Sequence, residues 1–324
     1  MSGSVRGGDE TRRPQGRKVR LAPTLRSSRM LLSAVVELKR QGQEYRNLKL
    51  YGQERNLMTS AIARMNLFLH GIQDFAIERG DTLAAPKFLE GDRLRRFDVV
   101  LANPPYSIKQ WNRAAWESDP YGRNLYGVPP QGRADYAFFQ HIIASLKPKT
   151  GRCAILFPHG VLFRDEEQTM RARLVEHDVV ECVLGLGPNL FYNSPMEACV
   201  VVCWMNKPKE RRGKLLFINA VNEVTRERAQ SFLEEDHIDK ILKAYRGFKN
   251  VEGFARVATL DEIRANGANL SIPLYVRPKT NGNGSTRAEG DKTLTQVIAE
   301  WQSSSKALRA SMSKLFKTLE TLER

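Results

Sequence analysis

The chain has little of what membrane, secreted or metal-binding proteins are built from. No apolar stretch approaches the ~20 residues that a bilayer-spanning helix needs. A secretory pattern is missing as well, because Arg, Gly and Asp interrupt every candidate apolar run near the N-terminus. Cysteine is scarce: the 4 present, at 153, 182, 199 and 203, lie in apolar strand-like segments without paired close spacings to His. That pattern reads as buried free thiols, not as zinc ligands, disulfides or a redox centre. Acidic residues are outnumbered, 36 Asp and Glu against 51 Lys and Arg. What remains, at 324 residues and 41% hydrophobic, is enough for one large α/β core in a soluble, cytoplasmic protein with no membrane partner.

The formal net charge of +15 suits a polyanionic partner, since phosphate contacts need Lys and Arg. Part of the excess sits in an arm: 8 of the 51 basic residues fall within the first thirty positions, opposed only by Asp9 and Glu10. Residues 1–15, rich in Gly, Arg and Ser, read as a disordered basic arm. Charge alone fits a solvated surface equally well.

Beyond the arm, strand-like and helical segments alternate, the signature of a doubly wound, mostly parallel sheet. Strands are expected near Lys18–Leu21, Leu48–Gly52, Phe75–Glu78, Phe97–Ala102, Gly151–Pro158, Val179–Leu184 and Ala198–Met205, with Lys214–Ile218 as an extra edge. Helical periodicity falls at Met30–Gln41, Arg55–His70, Asp135–Leu146 and Asp165–Glu176. The aperiodic stretch Trp111–Arg133 is expected to be a substrate-facing loop, because long irregular loops in compact domains are often functional.

The most informative residues are Asn103-Pro104-Pro105-Tyr106, which follow the apolar run Phe97–Ala102 with no spacer. Ligands of open α/β sheets bind just beyond strand carboxyl ends. Two prolines there stop helix and ladder, fix the backbone and leave carbonyls that no neighbouring amide claims. The Asn103 carboxamide oxygen and the Pro104 carbonyl can accept both hydrogens of an exocyclic amine, and the Tyr106 ring offers a flat face to a base. Paired acceptors localise an amine lone pair that the ring would otherwise delocalise, so the implied reaction is methyl transfer to a planar amine. The plain alternative is a Pro-Pro turn with Asn as turn former. Planar amides share this geometry, which leaves RNA and glutamine side chains as further acceptor classes.

Such a reaction needs a donor site. Glu54 closes the run Leu48–Glu54 and Asp81 follows Gly80 after Phe75-Ala76-Ile77, so both carboxylates stand at strand carboxyl ends. Glu54 is suited to a ribose diol and Asp81 to an adenine amine. Taken singly, each could be an exposed acid or a helix cap. At the other end of the chain, residues 279–292 have a linker composition, and 293–324 carry Leu294, Trp301, Leu308, Leu315 and Leu322 at seven-residue spacing. That is a coiled-coil-like helix whose seam needs a partner, or a helix folded back on its own domain.

With these motifs the chain, from about Met30 to Pro278, resembles the methylation subunit of type I restriction-modification systems, a family of N6-adenine DNA methyltransferases. The resemblance runs through Tyr51-Gly52-Gln53-Glu54, Met65-Asn66-Leu67, Gly80-Asp81-Thr82-Leu83, Asn103-Pro104-Pro105-Tyr106, Asp135-Tyr136-Ala137-Phe138, Phe157–Arg164, Asn189-Leu190-Phe191-Tyr192 and Leu270–Val276. It implies a Rossmann-like methyltransferase sheet over residues 16–278 with a C-terminal helical tail, S-adenosylmethionine as cofactor, and double-stranded DNA as substrate. The adenine is expected to be flipped, because N6 inside a duplex cannot meet a methyl sulfonium in line. Asn103, Pro104, Pro105 and Tyr106 would be catalytic, Glu54 and Asp81 would bind cofactor, and Phe191 would be a second wall for the base. The implied partners are a specificity subunit on the coiled-coil tail and a restriction or translocase subunit.

One segment departs from the family. Where its members carry Asp-Pro-x-Cys-Gly-Ser-Gly-Gly, this chain has Ala22-Pro23-Thr24-Leu25-Arg26-Ser27-Ser28-Arg29. Pro23, Thr24 and Ser27 keep the pattern and are carried over as cofactor-binding positions. Arg26 and Arg29 bring bulk and charge where glycines would allow close approach. The family's N-terminal helical domain is also expected to be absent. These departures define the alternative expectation, a catalytically inactive remnant serving as an assembly or DNA-binding subunit.

Overall fold

The computed structural model describes residues 19–22, 29–43, 45, 48–191, 196–227 and 230–277, with 19–22 and 29 as backbone. The expected arm (1–15), Pro23, Thr24, Ser27, the linker (279–292) and the tail helix (293–324) lie outside them.

Among the described residues the strands of the central sheet are β1 (Val19–Ala22), β2 (Lys49–Glu54), β3 (Phe75–Arg79), β4 (Val99–Ala102), β5 (Arg152–Pro158), β6 (Val180–Leu186), β7 (Ala198–Trp204), β8 (Lys214–Ala220) and β9 (Ala255–Thr259). Their spatial order is β3-β2-β1-β4-β5-β7-β6-β8-β9. Strands β1 to β5 pair in parallel, β7 runs antiparallel to both neighbours, and β9 is antiparallel to β8. The chain therefore steps outward from β1 to β3 and returns to continue on the other side of β1. That reversal puts the topological switch point, where doubly wound sheets hold ligands, between the carboxyl ends of β1 and β4.

The helices are α1 (Arg29–Arg40), α2 (Leu57–Leu69), α3 (Ala114–Glu117), α4 (Asp135–Ala144), α5 (Gln168–Glu176), α6 (Glu235–Gly247) and α7 (Leu260–Ala265). Side chains of a strand alternate between faces, so Leu48 and Leu50 join Leu31, Val35, Ala63 and Leu67 beneath α1 and α2, while Tyr51 turns to the opposite layer. There α4 and α5 pack Phe139, Ile142, Ile143, Leu174 and Val175 against Val100, Ile155, Phe157 and Val201. Helix α4 is apolar almost all round and is buried from Asp135 through Ile143, as a helix sandwiched between sheet and loop must be. Caps mark the ends: the Asn56 side chain accepts from the Thr59 amide to start α2, and Phe248 at φ 46° ends α6.

Eight expected strands and four expected helices are present with ends shifted by a few residues. Two corrections follow. The strand at Lys214–Ala220 is interior, because β9 pairs along its outer side. The stretch Trp111–Arg133 is not structureless: α3 lies within it, Arg113 Nε donates to the Pro129 carbonyl at 2.9 Å, and Tyr126 N donates to Gln140 Oε1 at 2.7 Å. All four cysteines are buried, and Cys199 and Cys203 share one face as expected.

Candidate active site

The sheet brings the separated motifs to one edge. Ala22, the last residue of β1, is in register with Gly52, and β1 also pairs with β4, so the carboxyl ends of β1, β2 and β4 lie side by side. Glu54, Asp81, Asn103 and Pro105 line a single cleft of about 160 Å³, with Ile108, Trp111 and Phe138 as apolar walls. Within this cleft the proposed donor carboxylates and the amine-acceptor motif share one solvent space. Pro104 is buried and Tyr106 half-buried, and neither is among the residues lining the cleft. Phe191 follows the carboxyl end of β6, half-buried, and is not among the residues lining the cleft.

Each carboxylate is set by a backbone amide. Glu54 Oε1 accepts from Asn56 N at 2.8 Å. Asp81 Oδ1 accepts from Leu83 N at 2.9 Å and Ala84 N at 3.2 Å, which makes the turn after β3 an Asx turn, and Oδ2 stands 3.6 Å from the exposed Arg55 guanidinium. An exposed pair at that distance is worth little. The turn is held to β2 by Gln53, a buried side chain that donates to the Ala85 carbonyl at 2.9 Å and accepts from Lys87 N at 3.0 Å. Gly80 allows this approach: a Cβ there would stand 3.1 Å from Gln53 Nε2 and 3.0 Å from Lys87 Cε. From the far side the buried Arg123 donates to the carbonyls of Thr82 at 3.0 Å and Leu83 at 2.9 Å.

The amine-acceptor turn is held differently. Ser107 takes a φ of 50°, a left-handed conformation that costs a non-glycine residue about 1–3 kcal/mol unless its surroundings impose it. Its amide donates to Asp135 Oδ1 at 2.8 Å, and Ala134 N donates to the Ile108 carbonyl at 3.2 Å. Asp135 Oδ2 accepts from Arg164 Nη2 at 2.7 Å, and the same guanidinium meets both oxygens of Glu167 at 2.7 and 3.0 Å. Burial pulls the Arg164 pKa down, but its hydrogen bonds to Glu167 and Asp135 win and raise it above the ordinary value. Burial raises that of the Glu167 carboxyl.

Gln53, Arg123, Asp135 and Arg164 were not singled out from the sequence as site residues. Gln53, Asp135 and Arg164 do fall inside the matched motifs, a signal that could have marked them. Arg123 carries none beyond its place in the long loop.

The model of the N-6 DNA Methylase family matches residues 11–283. The chain belongs to the N-6 DNA methylase family. It is 37% identical over 282 residues to the type I restriction enzyme MjaVIII methylase subunit of Methanocaldococcus jannaschii, an alignment covering 82% of this chain and 47% of that protein. With the HindI methylase subunit of Haemophilus influenzae it shares 32% identity over 83% of this chain and 61% of the relative. Among solved structures, the type I restriction-modification methyltransferase subunit of Streptococcus thermophilus superposes with a TM-score of 0.72 at 34% identity, covering 80% of this chain and 54% of the other. The chain thus spans about half the length of the N-6 DNA methylase relatives it matches. Its doubly wound α/β sheet is the fold of this family.

Proposed function

We propose that this chain is the methylation subunit of a type I restriction-modification system and transfers a methyl group to N6 of an adenine flipped out of double-stranded DNA. The observation that carries this reading is the single cleft in which Asn103 and Pro105 face Glu54 and Asp81. Asn103 Oδ1 and the Pro104 carbonyl accept the two N–H bonds of the adenine amine, pull its lone pair out of conjugation and fix its direction of attack. Tyr106 and Phe191 are assigned to the faces of the extruded base, where stacking replaces the neighbours lost on flipping. As the N6–methyl bond forms, the donor's S–methyl bond would break and leave a neutral thioether, and the methylated amine would release one proton to water, since the neutral oxygens of Asn103 and Pro104 accept a hydrogen bond but do not keep a proton.

The donor chemistry fits the residues. S-adenosylmethionine, when bound, supplies the electrophilic methyl group. Asp81, already oriented by two amides, would hold an adenine amine, and Glu54 a ribose diol, because a carboxylate with one oxygen anchored keeps acceptor capacity on the other. Pro23, Thr24 and Ser27 would complete the site from the segment after β1. Residues 16–278 are assigned as the methyltransferase domain and 279–292 as a linker. The heptad-patterned 293–324 would engage a specificity subunit, with a restriction subunit as a further partner. A cytoplasmic location fits this role, and among the described residues no helix is long and apolar enough to cross a membrane.

The test is calorimetric titration of the purified chain with S-adenosylmethionine, followed by transfer of labelled methyl to duplex DNA in the presence of a specificity subunit. A micromolar Kd, about 8 kcal/mol of binding free energy, together with N6-methyladenine in the product is expected. Absence of binding by this chain, with binding by a variant carrying A22D, L25C, R26G, S28G and R29G, would overturn the catalytic reading in favour of an inactive assembly subunit.

A further inference from the structure

One buried polar network beside the cleft contains no residue that lines it. Asp135 opens α4 and is 1% exposed, and Glu167 is fully buried. Arg164, at the carboxyl-end side of β5, bridges the two through three hydrogen bonds of 2.7 to 3.0 Å. Arg164 is itself fixed at its carbonyl, which accepts from Arg171 Nη1 at 3.0 Å. A buried ion pair of this kind brings little net stability, because desolvation offsets its attraction. Its consequence here is geometric, for one output leaves the network: Asp135 Oδ1 receives the amide of Ser107.

Ser107 directly follows Tyr106 and holds its left-handed φ of 50° without being glycine. The prolines at 104 and 105 make the preceding backbone stiff, so a turn fixed at Ser107 is transmitted to the whole acceptor motif and not absorbed by it. The second tie, Ala134 N to the Ile108 carbonyl at 3.2 Å, clamps the same turn to the residue before Asp135. The turn is thus fastened twice to the start of α4, which is itself held by burial from Asp135 through Ile143.

We infer that Asp135, oriented by Arg164 and Glu167, is a positioning residue for methyl transfer: it holds the Ser107 amide and so fixes the direction of the Asn103 and Pro104 acceptors. This rests on the proposed function, since it concerns the same site. A displaced acceptor loses alignment with the methyl donor while the substrates still bind. The signature is a loss in kcat with little change in KM.

The experiment compares the full chain with Asp135→Ala, Asp135→Asn and Arg164→Lys. Four quantities are read: kcat and KM for methyl transfer to duplex DNA with a specificity subunit, the S-adenosylmethionine Kd, and hydrogen exchange at the Ser107 amide. Asp135→Ala should lower kcat roughly 100-fold, the scale of a misplaced reacting group, with KM and Kd within about threefold. Asp135→Asn is nearly isosteric and keeps a neutral acceptor for the amide, so it should recover most of that loss. Arg164→Lys keeps the charge but not the fork that spans two carboxylates, and should fall between them. Exchange at Ser107 should be slow in the unaltered chain and in Asp135→Asn, and fast in Asp135→Ala. Slow exchange in Asp135→Ala, or a kcat in that variant within about twofold of the unaltered chain, overturns the inference. If the unaltered chain transfers no methyl group, the functional reading fails on that control alone, and Ser107 exchange still decides whether Asp135 holds the turn.

Discussion

Replacing Arg123 with Ala is expected to destabilise the chain by about 4 kcal/mol, the scale of a broken buried ion pair. Arg123 and Asp119 are 3% and 2% exposed. The guanidinium donates Nε and Nη2 to Asp119 Oδ1 at 2.9 and 2.5 Å, Nη1 to the Thr82 carbonyl and Nη2 to the Leu83 carbonyl. It also lies over the rings of Trp116 at 4.7 Å and Tyr121 at 5.0 Å. Removing one partner of such a pair leaves a buried charge uncompensated, at about 3–5 kcal/mol. The two carbonyls lose charge-assisted bonds of about 1.5–3 kcal/mol each, a loss that overlaps with the first because water can enter the vacated space. At roughly 2–4 °C per kcal/mol for a domain of this size, Tm should drop by about 8–16 °C. Urea unfolding of Arg123→Ala, Asp119→Ala and the double variant gives the pair energy. The double variant should cost less than the sum of the singles by about 2–3 kcal/mol. A single-variant loss below about 1 kcal/mol, or additive singles, would refute the view that this pair fastens the long loop to the turn after Asp81.

Asn103→Ala should reduce kcat by about 10²–10³, the scale for losing one preorganised polar contact in a transition state, while the S-adenosylmethionine Kd measured by calorimetry stays unchanged. Asp81→Ala should weaken that Kd by roughly 10- to 100-fold, the equivalent of one charged hydrogen bond of about 1.5–3 kcal/mol, and should cost about 1 kcal/mol in urea unfolding through the lost Asx turn. His141 is 4% exposed, and burial, helped by the nearby Arg123, moves its pKa from the ordinary 6.5 down to about 3. Its neutral form is therefore the folded form, so the stability it contributes is present above pH 6.5 and is lost as pH falls from there toward about 3. By pH 5 the loss should reach about 2 kcal/mol, read as the extra pH dependence of urea unfolding relative to His141→Gln, and parallel curves for the two proteins would count against it.

Much of the sheet was legible because its strands are long apolar runs bounded by turn residues, and the acceptor motif was legible because Asn-Pro-Pro-Tyr abuts one of them. Strand β9 escaped for a physical reason, whereas the amphipathic pattern of α6 was there to be read. Ala255–Thr259 reads Ala-Arg-Val-Ala-Thr, short and only half apolar, because an edge strand faces water on its outer side. The pairing of Glu54 with Asp81 across a cleft could be argued from strand ends alone, since parallel neighbours put their carboxyl ends together. The fastening residues could not. Whether Arg123 reaches Thr82 or Asp135 reaches Ser107 depends on contacts 41 and 28 residues apart in the chain, and no local period encodes them. The stretch Trp111–Arg133 looked structureless because its order comes from such contacts.

These fastenings explain where the chain places its buried charge. Segments leaving the carboxyl ends of strands have no ladder partners, so their amides and carbonyls must be met by side chains if they are to be both rigid and open to a ligand. Gln53 meets the turn bearing Asp81 from one side and Arg123 from the other, and Asp135 meets the turn that follows Tyr106. Each is a polar side chain of low exposure with at least one hydrogen bond to the backbone of a residue that lines the cleft or stands within two positions of one. The Glu181 cluster shows the contrast. Glu181 is fully buried and bound by Arg152, Arg211 and Tyr245, yet it sits near the amino end of β6, where Arg152 begins β5 and Arg211 precedes β8. A buried charge at that end can steady the sheet but has no cleft residue to steer. Two networks of comparable burial therefore differ in what depends on them, and the difference is set by which end of the parallel strands each one occupies.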